Sequence, residues 1–278
     1  MECIVRGVPL FYEVYGTGTP IILLHGFSCD HRQMKGCLEP LFAQLQGWQR
    51  LYLDLPGMGQ TPGKESLKST DDMLDVVVNF IDVVIPGQPF LLVGESYGGY
   101  LSQGVVHHKF EQVAGMALIC SGVIMERSRR DLPPRTVMLE DPVLLAQLDP
   151  ADAEEFTSMA VVQDQYHWER FRDEILKGAK IADEAFLQEI SQRYSCSFDV
   201  GKLPHPFPRP VVFLTGRQDH VAGYRDAWRI LENYPHATFA VLDRAGHNLP
   251  IEQPQLFNAL IGEWLDRVRE TMQSYSFS

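Results

Sequence analysis

Short apolar runs alternate along this chain with longer stretches in which apolar residues recur three and four positions apart. The short runs predict strands at residues 2–6, 10–15, 21–24, 50–53, 90–93, 115–120, 211–215 and 238–242. The first two join through Gly7-Val8-Pro9, which reads as a hairpin turn. The later runs show little polar alternation, as expected of strands buried on both faces. The longer stretches predict helices at 33–46, 70–85, 100–109, 222–233 and 255–272. Thr70, Asp71 and Asp72 supply a cap and early negative charge at one helix start. Strands alternating with helices predict an α/β fold, a mostly parallel sheet covered on both sides.

The alternation stops once. Between residues 122 and 204 no clear strand is visible, and helical spacing continues at 141–148, 151–161, 167–177 and 183–193. The stretch ends in Leu203-Pro204-His205-Pro206-Phe207-Pro208-Arg209-Pro210, an extended run that no helix continues through. The chain therefore reads as a core of residues 1–121 and 205–278, with a helical insertion, 122–204, after the sixth strand.

Composition narrows the classes. A net charge of −12 argues against partners such as nucleic acid or an anionic membrane surface. No apolar run is long enough to span a bilayer, and Met1-Glu2-Cys3-Ile4-Val5-Arg6 does not read as a signal peptide. The five cysteines are scattered without a C-x-x-C pair, so a disulfide framework or zinc site is not expected, and the cytoplasm is the expected location. A monomer or homodimer is expected.

The chemistry concentrates at three strand ends. Phe90 to Val93 leads into Gly94-Glu95-Ser96-Tyr97-Gly98-Gly99, followed by a helix-compatible stretch. The glycines permit a tight strand-to-helix elbow that exposes the serine Oγ, and the helix start behind it offers N–H groups to developing negative charge. A serine hydroxyl needs a base, and the base an orienting acid. Asp219 follows the strand at 211–215 and His247 follows the strand at 238–242, so both can converge on Ser96 at the carboxyl edge of a parallel sheet. Asp243 and Asp54, also at strand ends, are competing acids. The buried run Ile21 to Leu24 ends in His25-Gly26-Phe27, and the backbone N–H groups of Phe27 and Tyr97 are placed to form an oxyanion hole. His25 reads chiefly as a residue that hydrogen-bonds loop backbone, with substrate contact the alternative. Tyr166 and Trp168 either pack the insertion on the core or line the substrate pocket. Ser28 to Arg32 begin a helix, and some of them could touch substrate. The charged run Glu126 to Arg130 reads as a solvated loop.

On His25-Gly26-Phe27, Asp54-Leu55-Pro56-Gly57-Met58-Gly59, the Ser96 elbow and the Asp219 and His247 loops, the chain resembles the α/β-hydrolase fold superfamily along nearly its whole length. The resemblance implies an eight-stranded, mostly parallel sheet with a helical cap over the site. It implies Ser96 as nucleophile, His247 as base, Asp219 as orienting acid, and Phe27 and Tyr97 as oxyanion donors. Haloalkane dehalogenase and epoxide hydrolase relatives carry an Asp nucleophile where Ser96 stands, so neither activity is expected. Prolyl iminopeptidase relatives tend to carry Trp where Tyr97 stands. The leading expectation is a serine hydrolase of a small-molecule ester, acting through an acyl-enzyme with no cofactor and no metal. The alternatives are a C–C bond hydrolase or pyruvate-eliminating lyase using the same triad, and a non-catalytic ligand receptor.

Overall fold

The computed structural model describes residues 1–275. Eight strands form one sheet: β1 (Glu2–Val5), β2 (Val8–Tyr15), β3 (Thr19–Leu24), β4 (Trp48–Leu53), β5 (Phe90–Glu95), β6 (Val113–Ile119), β9 (Val211–Gly216) and β10 (Ala237–Leu242). Their spatial order is β1-β2-β4-β3-β5-β6-β9-β10. β1 pairs antiparallel with β2, and β2 antiparallel with β4, while every other neighbour in the sheet is parallel. All eight predicted strands are present, and the Gly7 turn closes the β1–β2 hairpin at φ +74°.

Side chains alternate across the sheet with a period of two and feed two separate cores. Ile22, Leu92, Leu118 and Phe213 pack under α2 (Thr70–Val84) and α3 (Tyr97–Lys109). Ile21, Leu91, Val93, Ala117 and Leu214 pack on the opposite face, under α1 (His31–Phe42) and the C-terminal helix α11 (Pro254–Tyr275). Trp264 anchors α11 by donating its indole N–H to the carbonyl of Pro210 at 3.0 Å. The cap of α2 is Ser69, one residue before the expected Thr70; its side chain accepts from the N–H of Asp72. Helix α3 begins at Tyr97, earlier than predicted, because the turn at Ser96 leads straight into it. The helix expected at 222–233 shortens to α9 (Arg225–Arg229) followed by a 3-10 turn, after Gly223 takes a φ of +74°.

The stretch between β6 and β9 carries α4 (Pro142–Leu145), α5 (Pro150–Met159), α6 (Gln165–Phe171), a π-helical turn (Arg172–Leu176) leading into α7 (Lys177–Ala179), and α8 (Glu184–Ser191). Asp141, Asp149, Asp164 and Asp183 cap α4, α5, α6 and α8 through their carboxylates. Leu144, Phe156, Trp168, Phe171 and Leu176 form a third apolar cluster here. The expectation of no strand in this stretch is corrected: β7 (Leu139–Glu140) and β8 (Val162–Gln163) pair in parallel. Two residues per strand are too few to show a period. Among the described residues no helix is long and apolar enough to cross a membrane.

Candidate active site

Ser96 follows β5 with φ 52° and ψ −112°. A non-glycine residue holds such a backbone only where its surroundings impose it, at a cost of about 1–3 kcal/mol. Here the Ser96 N–H donates to the carbonyl of Ile119 at 3.0 Å, and its own carbonyl accepts from Tyr100 and Gly122, each at 3.1 Å. The flanking glycines are required by space. A Cβ on Gly94 would lie 2.4 Å from the Gly98 oxygen, and one on Gly98 would lie 2.1 Å from the Leu24 oxygen.

The Ser96 Oγ lies 2.9 Å from His247 Nε2. His247 Nδ1 lies 3.1 Å from Asp219 Oδ2 and 3.2 Å from Oδ1. Burial alone would push the imidazole pKa down, and the Asp219 carboxylate outweighs it, holding His247 above its ordinary value. Burial would likewise raise the Asp219 carboxyl. His247 and the N–H groups of Val221 and Ala222, which donate to Oδ1 at 2.9 and 3.0 Å, bring it below its usual range instead. The Asp219 and His247 loops are tied together, since Gln218 N–H donates to the Ala245 carbonyl and Arg217 N–H to the Leu242 carbonyl, both at 2.9 Å. The competing acids lie elsewhere. Asp243 is exposed and accepts from Gln218, while buried Asp54 accepts from the His31 backbone and ring and from Gln60.

A family model described as "Alpha/beta hydrolase family" matches residues 21–260. The chain belongs to this family. The crystal structure of an alpha/beta superfamily hydrolase from Oenococcus oeni PSU-1 is similar, with a TM-score of 0.87 and 29% identity, covering 97% of this chain and 99% of that one. Monoacylglycerol lipase ABHD6 from Bos taurus is 23% identical over 268 residues, covering 91% of this chain and 77% of that protein. The 2-hydroxy-6-oxo-6-(2'-aminophenyl)hexa-2,4-dienoic acid hydrolase from Metapseudomonas resinovorans is 22% identical over 254 residues, covering 90% of this chain and 85% of that protein.

Beside Ser96 the hydrolase has a cavity of about 240 Å³. Phe27, Met159, Phe171, Ile175 and Leu176 supply much of its apolar wall, and among the described residues Glu155 is the one carboxylate that lines it. Three of these five lie on α6 or the π-helical turn, a distortion that recurs at functional sites. Ser28 and Cys29 line the cavity, whereas Asp30 caps α1 and His31 is held by Asp54.

The rings of Phe27 and Tyr97 meet edge to face, their centres 5.2 Å apart. Among the described residues no backbone hydrogen bond engages either N–H. Buried His25 accepts from the Leu55 N–H at 3.1 Å and bonds the Gly26 carbonyl through Nδ1 at 2.7 Å, so it holds loop backbone and does not line the cavity. Burial pushes its pKa down, which keeps the ring neutral and able to accept. Trp168 packs against Phe156 in the third apolar cluster, and Tyr166 is 49% exposed beside Arg170. Neither lines the cavity.

Several residues at the site carried no signal in the sequence. Gln33 accepts from the Gly26 N–H at 2.7 Å and so holds the turn that presents Phe27. Tyr194, at the end of the inserted stretch, stacks on Tyr97 with ring centres 5.1 Å apart. Glu126 to Arg129 are exposed, as expected of a solvated loop, but Arg130 departs from that reading, because its guanidinium donates to the carbonyls of Ile124, Met125 and Val221 at 2.7, 2.8 and 2.8 Å. Glu95 is buried with Oε1 unpartnered, and burial pushes its carboxyl up to about 8.

Proposed function

We propose that this hydrolase cleaves a neutral, small-molecule carboxylic ester through an acyl-enzyme on Ser96. The contact between Ser96 Oγ and His247 Nε2 at 2.9 Å, backed by Asp219, carries this reading. His247 takes the proton as Oγ attacks the carbonyl carbon and returns it to the leaving alcohol. The N–H groups of Phe27 and Tyr97 receive the developing oxyanion, a contribution of about 3–4 kcal/mol per donor in comparable sites. A water deprotonated by His247 then attacks the acyl carbonyl, and as the bond to Ser96 Oγ breaks the proton passes from His247 to Oγ and the acid leaves. Residues 122–204 act as the cap that bounds the substrate against the core, residues 1–121 and 205–278.

The cavity wall supports a neutral substrate, since Glu155 would repel an anion and, among the described residues, no Lys or Arg lines the space. The similarity to a monoacylglycerol lipase points the same way, to an ester with an apolar acyl chain. The second reading, C–C bond hydrolysis with the same triad, is favoured by the similarity to a hydrolase of a dienoic acid. It needs a cationic partner for that carboxylate, which the lining does not offer.

The test is hydrolysis of p-nitrophenyl esters from acetyl to decanoyl, with Ser96→Ala beside the wild type. The expected result is turnover that falls by about 10³-fold or more in the variant. Equal turnover in both would overturn the reading.

A further inference from the structure

Glu252 ends the short helix α10 (Leu249–Glu252), five residues after His247, and is 6% exposed. Its two carboxylate oxygens bond to different parts of the molecule. Oε2 accepts from the Gly246 N–H at 2.6 Å, and Gly246 immediately precedes His247. Oε1 accepts from the Val161 N–H at 2.7 Å, and Val161 belongs to the stretch inserted between β6 and β9. The two ends of this strap are also packed together, for a Cβ on Gly246 would lie 2.7 Å from Val161 Cγ2.

Val161 is itself a junction. Its carbonyl accepts from Met138 at 2.7 Å and from Leu139 at 3.3 Å, tying in β7. Two residues before it stands Met159, the last residue of α5 and part of the cavity wall. One carboxylate thus meets the backbone that carries the base and the backbone that carries the acyl pocket.

We infer that Glu252 is a positioning residue that holds His247 and the α5 wall of the pocket in one register. This rests on the reading of Ser96 and His247 as nucleophile and base. Burial pushes the Glu252 carboxyl up to about 7, while the Gly246 and Val161 N–H groups work against that by favouring the ionised form, in which both oxygens accept in this geometry. Glutamine keeps the shape but turns an NH₂ toward one of the two donors, so one arm of the strap is lost. Small misplacements of a base are costly to the rate, and a shift of the α5 wall alters which acyl chains fit.

The experiment compares wild type with Glu252→Gln and with Val161→Pro, which deletes the donor on the inserted side alone. Ala160, at φ −76° and ψ 133°, already has the extended backbone that a following proline requires. Two quantities are read per folded molecule: the rate of Ser96 labelling by a fluorophosphonate, and the ratio of kcat/KM for octanoyl and acetyl p-nitrophenyl esters. Glu252→Gln is expected to slow labelling about tenfold and to move the chain-length ratio about threefold or more. Val161→Pro is expected to move the ratio while slowing labelling less. A residue that only supports folding would change the yield of folded protein and leave both quantities at the wild-type value, and that result overturns the proposal. Should Glu252→Gln fail to fold, an unchanged ratio in Val161→Pro overturns it by itself. Wild type that labels but cleaves no ester overturns the ester reading alone, and the labelling rates still judge the strap. Wild type that does not label overturns both.

Discussion

Asp219 acts on His247 in two ways, and a single substitution separates them. The carboxylate orients the ring through Nδ1, and its charge holds the imidazole pKa above the ordinary value although burial works to lower it. On the proposed mechanism His247 must be neutral to accept the serine proton, so activity is expected to rise with pH through the His247 pKa. In Asp219→Asn the charge is gone while burial remains. The acidic limb of the pH–rate profile is therefore expected to move to lower pH, and kcat to fall about 10³- to 10⁴-fold as the ring loses its orientation. A profile unmoved in its midpoint would contradict this. Glu95 presents the opposite case at the neighbouring position. Burial raises its carboxyl to about 8, so the folded chain holds it neutral where an unfolded chain would ionise it. An acid raised on folding costs stability as pH climbs from the ordinary carboxylate value toward the folded one. Glu95→Gln removes that titration. Its stability relative to wild type is expected to rise by about 3 kcal/mol between pH 4 and pH 7, measured by denaturant unfolding at each pH.

At the scale of elements, the helix following Ser96 is set by how closely backbone approaches backbone. The start of α3 lies against the end of β3, and Gly98 has no room for a Cβ, which would meet the carbonyl oxygens of Leu24 and His25 at 2.1 and 2.7 Å. Gly98→Ala must push α3 away from β3, and that separates the N–H of Tyr97 from that of Phe27. It is expected to reduce ester turnover about 100-fold or more and to lower the melting temperature. Gly262, within α11, has nothing within 4 Å of an added Cβ. Gly262→Ala is expected to leave turnover unchanged and to stabilise the protein by about 0.5–1 kcal/mol, because alanine loses less backbone entropy in a helix. Thermal melts and activity assays on the two variants distinguish a glycine required by packing from one that is not.

At the scale of the molecule, the proposed reading places specificity where the inserted stretch meets the sheet edge. Ile175, on the π-helical turn, lines the cavity of about 240 Å³ together with Ser96 and Phe27. The turn is fixed to the rest of the chain by Arg170, which pairs with Glu174 and donates to the carbonyls of Gly36 and Pro250. Ile175→Phe fills part of that space without touching the triad. It is expected to lower kcat/KM for octanoyl esters about tenfold or more while leaving acetyl esters within about twofold. Equal losses on both chain lengths would mean that the wall does not contact the acyl chain.

The sequence by itself determined the alternating pattern of the sheet, its hairpin edge, and the three loops that carry Ser96, Asp219 and His247. Those features are local: a run of buried β-formers, a glycine pair too crowded for side chains, and loops that all leave a parallel sheet at one edge. Even His25 was legible as a backbone-binding residue, because a histidine beside a tight glycine turn has carbonyl and N–H groups close at hand. Only the tertiary structure decided which neighbours meet across long separations. Tyr194 against Tyr97, Arg130 on the Val221 carbonyl and Glu252 on the Val161 N–H are pairings with no period in the chain. The pocket wall belongs to the same class. It is built by Met159, Phe171 and Ile175, while Tyr166 and Trp168, which stood out in the sequence, point elsewhere. Periodicity records which face of an element is buried; the partner on the other side of that face is set by how the elements pack.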